Sequence, residues 1–384
     1  MNKKSLLCLL ITALLVFGAV GCVQLPAVAT VTEDTTPDSA TAEPIVTEMP
    51  VEQVVVSVET EMTEAPVAPI EETPAPTSEP TPEPTPEPTP EPTATPFVTR
   101  APIEGDIATV NFPNYDTGVD ADYSYQSDEL RIAVKKHVDE DLLQVYYVAD
   151  IWVRNISDFR TGFGRGQFNT GTEDGEKFAQ REHAILAVNG SMNLGLVIHN
   201  GGKVTKGLVK DDSTLTAVTL LYKDGSMKVF NLDKDHFNLK NEEKKGIMHA
   251  WQFGPALVQN GELASKFPTY GTRHPRIMIG YYEPGHYVIV AVDGRSKKAV
   301  GMNNGEMANL MKDLGCVEAM NLDGGTSAMM VFMGECISHP SGVDSDGDGK
   351  AGRNLKDMLL FAEYDSEGNA PALEDVDQSK LRIS

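Results

Sequence analysis

Apolar residues in the second half of the chain alternate with polar ones or form short runs, and both patterns predict strands. The stretch "LQVYYVADIWVRN" is rich in β-branched and aromatic residues, as long strands are. Turn signals interrupt "LTAVTLLYKDGSMKVFNL" at Asp224-Gly225 and "RIMIGYYEPGHYVIVAVDG" at Pro284-Gly285, so each stretch predicts a β-hairpin. Shorter runs, "HAILAVNG" and "MLLFAEY", predict further strands. We therefore expect an α+β fold: a β-rich mixed sheet core with a few flanking helices in a single domain.

One stretch, "NNGEMANLMKDLG", has the helical period instead. Its apolar residues recur at i, i+3, i+4 and i+7 and form one face, namely Met307, Leu310, Met311 and Leu314. Asn303 with Glu306 three residues later fits a capping box, and Gly315 fits the C-terminal end. The pattern therefore predicts a helix between Asn303 and Gly315.

The start of the chain combines two lysines, an apolar run and small residues that lead to Cys22. Residues 1–21, "MNKKSLLCLLITALLVFGAVG", are typical of a secretory signal. The ending "AVGC" resembles a bacterial lipobox, in which the cysteine becomes the lipidated first residue. We expect a protein that is exported and lipid-anchored through Cys22 to the outer face of a bacterial cell membrane. The alternative is a cleaved or anchoring signal with an incidental cysteine.

Residues 22–104 lack an apolar pattern that could form a core. They are rich in Pro, Thr and Glu and include "TPEPTPEPTPEPT", in which prolines fix φ and glutamates repel one another. We interpret them as a disordered, extended spacer between the membrane and a domain at 105–366, with a C-terminal tail at 367–384. A disordered segment without a spacing role is the alternative.

Charge and motifs exclude several classes of function. The formal net charge is -24, whereas a nucleic-acid-binding surface needs a basic footprint, so no nucleic-acid partner is expected. The sequence holds no G-x-S-x-G nucleophile elbow, no His-Glu-x-x-His, no P-loop and no dinucleotide fingerprint between a predicted strand and a predicted helix. No cofactor is therefore required by the motifs.

The segment "CVEAMNLDGGTSAMMVFM" places an acid, two glycines and two hydroxyls between two apolar runs. We interpret the polar break as a turn centred on Thr326 that joins two paired strands. Cys316 and Cys336 are equidistant from that centre, and an exported domain permits disulfides. We therefore predict a disulfide between them, and two unpaired buried cysteines are the alternative.

Several segments, in their order along the chain, resemble the phosphodiester glycosidase family. They are "AILAVNGSMN", "GLVIHNGGKV", "FGPALVQNGE", "RHPRIMIGYY", "YVIVAVDGR" and "GMNNGEMANLMKDLGCVEAMNLDGGTSAMMV". The resemblance covers roughly residues 125–365, and the "NLDGG" block is its most specific part. The family includes the enzyme that uncovers mannose-6-phosphate signals, and bacterial relatives linked to exopolysaccharide.

The resemblance implies a hydrolase that cleaves a sugar from a phosphate linked at its anomeric oxygen. Its partner would be a glycan or glycosyl-phosphate substrate in cell-wall polymer or exopolysaccharide. The family often continues its "NG" block with Asp or Gly and an aromatic residue, whereas Ser191 and Met192 stand here. This departure keeps open a second hypothesis, a non-catalytic carbohydrate- or wall-binding lipoprotein on the same fold.

Glycosidic cleavage generally uses two carboxyl groups, one as acid and one as base or nucleophile. Asp323 ends a buried strand before two glycines, so we predict that it is catalytic or contacts the ligand; capping the turn is the alternative. Asp293 in "VDGR" also ends a strand, with turn formation as its alternative. Asn189 aligns with the family's "NG" block and is predicted to hold a sugar hydroxyl or to fix Asp323; a simple turn at Asn189-Gly190 is the alternative.

The phosphodiester needs anion-binding groups. Backbone N–H groups and hydroxyls of the polar break could provide them, namely Gly324, Gly325, Thr326 and Ser327. Arg276 matches the family's arginine before "IG", and a guanidinium can clasp two phosphate oxygens. Arg295 is a further candidate. A tight turn and a surface ion pair are the respective alternatives.

An acidic loop, "DSDGDGKAGRNL", begins like a calcium-binding loop. Asp344, Asp346 and Asp348 occupy its first, third and fifth positions, but Leu355 stands where a bidentate glutamate is usual. The pattern leaves two interpretations open, a solvated acidic turn and a degenerate Ca²⁺ site.

Overall fold

A computed structural model describes residues 104–107, 119–203, 207–210, 212–267, 271–341 and 352–383. The predicted signal peptide, spacer and lipidation at Cys22 lie outside these residues. The predicted calcium ligands Asp344, Asp346 and Asp348 lie outside them too. No helix in the described part of the chain is long and apolar enough to span a bilayer.

Strands dominate the described residues. In chain order they are β1 Tyr123–Gln126, β2 Leu130–Asp139, β3 Gln144–Val153, β4 Phe159–Phe163, β5 Leu186–Asn189, β6 Val197–His199, β7 Gly202–Lys203, β8 Ala217–Tyr222, β9 Met227–Asn231, β10 Ile247–Phe253, β11 Ala256–Gln259, β12 Glu262–Leu263, β13 Arg276–Glu283, β14 His286–Val292, β15 Glu318–Asn321, β16 Met330–Phe332, β17 Glu335–Cys336, β18 Asp357–Phe361 and β19 Leu381–Ile383. The α-helices are α1 Gly175–Arg181, α2 Leu239–Glu243 and α3 Asn304–Asp313.

The strands form three sheets. Their orders are β12-β11-β15-β13-β14-β3-β2-β1-β19, β7-β6-β10-β8-β9 and β17-β16-β5-β18-β4. The α+β class with a β-rich core is confirmed. Every strand pair in the described ranges is antiparallel, so the expectation of a mixed sheet was wrong. Strand β19 pairs with β1 and lies beyond residue 366, the predicted end of the domain.

The predicted local elements are confirmed. The two hairpins are β8–β9 and β13–β14. Helix α3 begins with the predicted capping box, in which the Asn303 side chain accepts from the Glu306 N–H and the Glu306 carboxylate accepts from the Asn303 N–H. Gly315 follows the helix with φ +86°, a conformation that glycine adopts without strain.

The main core lies where the inner faces of the three sheets meet. Ile151 and Ile289 come from the nine-stranded sheet, Val188 and Leu359 from the sheet that contains β5, and Trp251 from the third sheet. All five side chains are fully buried, and the removal of this apolar surface from water is the main force that holds the sheets together.

The nine-stranded sheet and the sheet that contains β5 (the β5 sheet) each carry a helix on the face that is turned away from the main core. Met307 and Met311 of α3 pack on the nine-stranded sheet in a cluster that includes Cys316. Phe178 of α1 packs on the β5 sheet in a cluster against which Cys336 lies. The two cysteines therefore belong to clusters on different sheets.

The predicted disulfide between Cys316 and Cys336 is wrong, because both thiols are free. The polar break does not join two paired strands. Strand β15 pairs with β11 and β13, whereas β16 pairs with β5 and β17 in another sheet. The break is a crossing between sheets, so the symmetry of the cysteines about Thr326 brings them no closer.

Candidate active site

Three predicted residues lie at one end of the nine-stranded sheet. Arg276 begins β13, Asp293 directly follows β14, and Asp323 follows β15 by two residues. Arg276 pairs with Val292, and Met278 pairs with Asn321. Because neighbouring strands run in opposite directions, the start of β13 and the ends of β14 and β15 fall together.

A second group of polar side chains comes from the β5 sheet and lies where the polar break passes from one sheet to the other. Asn189 ends β5 and Asp357 begins β18, where Met358 is the partner of Asn189. Strand β16 also begins at this end, since Met330 pairs with Val188. The polar break connects the two sheet ends, so side chains from both sheets meet around it.

Asn189 holds both ends of the polar break. Its Nδ2 donates to the backbone oxygen of Asp323 at 2.8 Å, and its Oδ1 accepts from the N–H of Met329 at 3.1 Å. The Asp323 N–H in turn donates to the Gly190 oxygen at 3.2 Å. These buried bonds tie Asn189 to both ends of the break and agree with a role in fixing Asp323, while contact with a sugar hydroxyl stays a prediction.

Asp323 lines a cavity of about 210 Å³ together with Asn189, Ser327, Arg353 and Asp357. Its Oδ2 accepts from Arg353 Nη2 at 3.0 Å. Burial raises the pKa of the Asp323 carboxyl, and the Ser327 hydroxyl and Arg353 partly offset that rise. The fully buried Ser327 Oγ makes no hydrogen bond of standard geometry to a described residue, although it lies close enough to act on this pKa. The cavity wall therefore holds an ionisable carboxyl and, close to it, a buried hydroxyl.

A second carboxyl belongs to the same cavity. Asp357 Oδ2 accepts from the backbone N–H of Ser191 at 2.8 Å, and Ser191 Oγ lies 3.3 Å away. Burial is the main cause that raises the pKa of Asp357 to about 6, and the charge of Asp323 adds to the rise. The cavity therefore holds two buried carboxyls whose pKa values are both raised, and a pair of carboxyls is what acid–base chemistry on a glycosidic bond generally uses.

Two arginines flank the glycines of the break. A Cβ at Gly324 would lie 3.6 Å from Arg276 Cδ, and a Cβ at Gly325 would lie 3.0 Å from Arg295 Nη2. Burial, and then the charge of Arg295, lower the pKa of Arg276. Arg276 Nε donates to the Met302 oxygen at 3.2 Å, and neither guanidinium makes an ion pair with a described carboxylate. The break is therefore bordered by positive charge that no described acid neutralises.

Asp293 lies in a neighbouring cavity of about 590 Å³, which Arg295 also lines. Its Oδ1 accepts from the His339 N–H at 2.8 Å, and its Oδ2 lies 3.2 Å from His339 Nδ1. Burial raises the pKa of Asp293, and His339 opposes the rise. Asp293 does not line the cavity of Asp323, so the structure separates the two predicted carboxylates and offers Asp357 in place of Asp293.

The predicted Thr326 and the Arg273–Glu306 pair near α3 take structural or peripheral places. Thr326 is half-buried in the one-turn 3₁₀ helix Gly325–Ser327. Arg273 donates through Nε to both carboxylate oxygens of Glu306, at 3.0 and 3.1 Å, which leaves Glu306 occupied with its helix cap. No group of three or more His, Cys, Asp or Glu side chains that could hold a metal ion occurs within the described ranges.

Arg353, Asp357 and His339 were missed by the sequence reasoning. Asp357 carried a usable signal, because a lone acid directly precedes the apolar run "MLLF" at a position that becomes fully buried. Arg353 and His339 carried none, since each reaches its carboxylate partner across at least 30 residues.

The fold and this site define a class: an antiparallel α+β domain with carboxyls and arginines where two sheets are joined. Residues 174–362 match the family model described as phosphodiester glycosidase. The segment 174–362, just under half of the chain, is therefore assigned to the phosphodiester glycosidase family.

Two curated relatives illustrate the match. The SPbeta prophage-derived uncharacterized protein YomE of Bacillus subtilis is 30% identical over 175 residues, which are 42% of this chain and 26% of the relative. The N-acetylglucosamine-1-phosphodiester alpha-N-acetylglucosaminidase of Bos taurus is 33% identical over 88 residues, which are 23% of this chain and 16% of that enzyme. The matched part is thus about a quarter or less of each relative's length.

Solved structures are similar at low identity. The catalytic domain of zebrafish N-acetylglucosamine-1-phosphodiester alpha-N-acetylglucosaminidase, auto-inhibited by its pro-peptide, has a TM-score of 0.47 at 20% identity. The alignment covers 62% of this chain and 86% of that one. A hypothetical protein from Synechocystis has a TM-score of 0.39 at 12% identity, covering 61% and 62%. Neither likeness carries an argument about function.

Proposed function

We propose that this protein is a hydrolase that cleaves sugar-1-phosphodiester linkages. One observation carries the proposal: the buried Asp323 carboxyl is followed directly by two glycines that lie between Arg276 and Arg295. A phosphodiester bound by the two guanidiniums would bring its glycosidic oxygen towards the carboxyls. The names of the curated mammalian relatives and the family of the domain agree with this chemistry.

Each group then has a role that follows from its surroundings. Arg276 and Arg295 bind the anionic phosphate, and the glycines permit close approach of the backbone. Asp323, beside Arg353, contacts the glycosidic linkage as acid or base. Asp357 is the second carboxyl, and it also fixes the turn that begins at Ser191. The cavity of about 210 Å³ is small and suits a single sugar unit better than a long glycan.

The direct test is hydrolysis by the full-length protein of a panel of hexose-1-phosphate methyl diesters. We expect release of free sugar from at least one member, measured as reducing ends. Absence of release from every member, while the protein still binds sugars, would overturn the proposal.

A non-catalytic carbohydrate-binding role is the second candidate. The observation in its favour is that the Asp323 carboxylate is already paired with Arg353, whose Nη2 also lies 2.9 Å from Met192 Sδ. Met192 is one of the two departures from the family pattern. Under this hypothesis, Arg353→Gln would change glycan binding without creating or removing turnover.

We also propose that the domain is held at the cell surface on a lipidated Cys22 and the Pro-rich spacer, where it acts on wall polymer or exopolysaccharide. The lipobox-like sequence and the spacer composition support this placement. Labelling cells with a radioactive fatty acid tests it, because the Cys22→Ala protein would remain unlabelled. Equal labelling of the wild type and the variant would contradict it.

A further inference from the structure

The larger cavity beside the site has a basic lining. It measures about 590 Å³ and is bordered by Lys136 of β2, by Arg295 and Lys298 from the loop after β14, and by His339. This size lies within the usual range for a ligand pocket. In a chain with a formal net charge of -24, a concave surface with three cations is an unusual local environment.

These three cations lack the acidic partners that other basic residues have. Lys135 pairs with Asp120, Lys228 with Glu318, and Lys312 with Glu262. By contrast, Lys136, Arg295 and Lys298 form no ion pair with a described carboxylate. The Lys136 ammonium instead lies 5.5 Å from the ring centre of Tyr147. Their charge is therefore available to a ligand.

The single acid in the lining does not cancel this charge. Asp293 is buried, and both of its carboxylate oxygens are engaged by His339. The His339 side chain is 74% exposed, so its ring faces the solvent side of the cavity. Asp293 does interact electrostatically with Lys136, but its carboxylate is buried, whereas Lys136, Lys298 and His339 are exposed and accessible to an incoming anion.

Arg295 connects this cavity with the polar break. It lines the cavity, and its Nη2 would lie 3.0 Å from a Cβ at Gly325. A ligand with one anionic group at the glycines would therefore extend past Arg295 into the basic cavity.

We propose that the basic cavity binds a second anionic group of the same substrate, so that the substrate is a polyanionic chain with recurring phosphodiesters. The inference rests on the proposed function for the chemistry at Asp323, and it adds the class of substrate. Arg295 binds the phosphate at the cleaved linkage, while Lys136 and Lys298 bind the next phosphate along the chain. A neutral glycan would leave these two lysines without a role.

Binding of an oligo(glycerol phosphate) chain without sugar substituents tests the inference independently of catalysis, because such a chain contains no glycosidic bond. The full-length protein is titrated with it by calorimetry at low and at physiological salt. We expect binding that weakens as salt rises, since the contacts are between exposed charges. In Lys136→Ala/Lys298→Ala, affinity should fall about five- to tenfold, in line with the strength of two exposed charge pairs.

Lys240→Ala/Lys244→Ala is the matched control. It removes the same net charge from exposed side chains at α2, outside the basic cavity, and should bind as the wild type does. Absence of binding by the wild type, or equal losses in both double variants, would overturn the inference. Oligogalacturonate carries carboxylates in place of phosphates. If it binds as tightly as the phosphate chain does, the assignment to phosphodiesters is wrong. Because no bond is cleaved, none of these results depends on whether the protein is a hydrolase.

Discussion

Gly190 leaves the space that the Asp357 carboxyl occupies: a Cβ at Gly190 would lie 2.4 Å from Asp357 Oδ2. The same oxygen accepts the Ser191 N–H at 2.8 Å. The absence of a side chain at one residue thus allows a fully buried carboxyl to bond with the next. Sequence reasoning attributed this glycine to an Asn-Gly turn, whereas the structure shows a steric reason.

Gly190→Ala should displace the Asp357 carboxyl and break its bond to Ser191. We expect the free energy of unfolding to fall by about 1–3 kcal/mol, the usual cost of overpacking a buried site, and any hydrolytic activity to fall with it. Urea denaturation followed by fluorescence measures the first effect. Gly202→Ala is the control, because its Cβ would meet only the His199 oxygen at 3.4 Å; a similar loss in both variants would contradict the steric explanation.

Asp323→Asn tests the role of the carboxyl with little change of shape. If Asp323 transfers a proton, the turnover number should fall about 100- to 10,000-fold, while the circular dichroism spectrum stays unchanged. Asp313→Asn alters an exposed acid at the end of α3 and should retain full activity. Turnover of Asp323→Asn within a few-fold of the wild type would exclude Asp323 as the proton donor or acceptor.

The raised pKa of Asp357 predicts a pH-dependent stability. The folded value is about 6 and the reference value is 3.8, so between them the folded protein holds more protons than the unfolded chain. The contribution of Asp357 therefore declines as pH rises through this window and is constant above it. At about 1.4 kcal/mol per pKa unit, the total is on the order of 3 kcal/mol.

Asp357→Asn removes this titration and keeps an oxygen for the Ser191 N–H. The stability of the variant minus that of the wild type should therefore increase by roughly 2.5 kcal/mol from pH 4 to pH 8, because the rest of the change falls below pH 4. Chemical denaturation at several pH values measures the difference. If stability depends on pH in the same way in both proteins, Asp357 titrates with an ordinary pKa. The control, Asp313→Asn, should show the same pH dependence of stability as the wild type.

The two cysteines of the domain should behave as protected thiols. Burial raises the pKa of Cys316 to about 12 and that of Cys336 to about 11, so little thiolate exists at pH 8 to react. In a protein that lacks residues 1–22, we expect slow reaction with a thiol reagent in the folded state. After denaturation without reductant, two thiols per chain should react. If no thiol reacts, Cys316 and Cys336 form the disulfide that the structure excludes.

The sequence predicted those parts of the fold that depend on neighbouring residues. The hairpin at Asp224-Gly225 and the capping box at Asn303 and Glu306 are set by turn and cap chemistry within a few positions. The polar break at Thr326 was mispredicted because its flanking strands find distant partners. Strand β15 pairs with β13, and β16 pairs with β5, which lies more than 100 residues earlier.

The same distinction between local patterns and distant contacts applies to the candidate active site. Asp323, Gly324 and Gly325 stood out because they interrupt an apolar run. Arg353 and Asp357 reach the cavity only when β18 is placed beside β5, and no local pattern specifies that pairing. Asp293 resembled Asp323 in its local sequence, but its strand, β14, directs it to the neighbouring cavity.

The crossing of the polar break from one sheet to the other has a consequence for how the protein loses function. Local opening of proteins begins at the less stable edges of their structure. Here Arg276 begins β13 of the nine-stranded sheet and Arg295 lies in the loop after β14, whereas Asp357 begins β18 of the β5 sheet. A partial opening of either sheet therefore separates the arginines from Asp357. Loss of ligand binding should therefore precede the loss of secondary structure on heating, which makes binding an early reporter of damage to the domain.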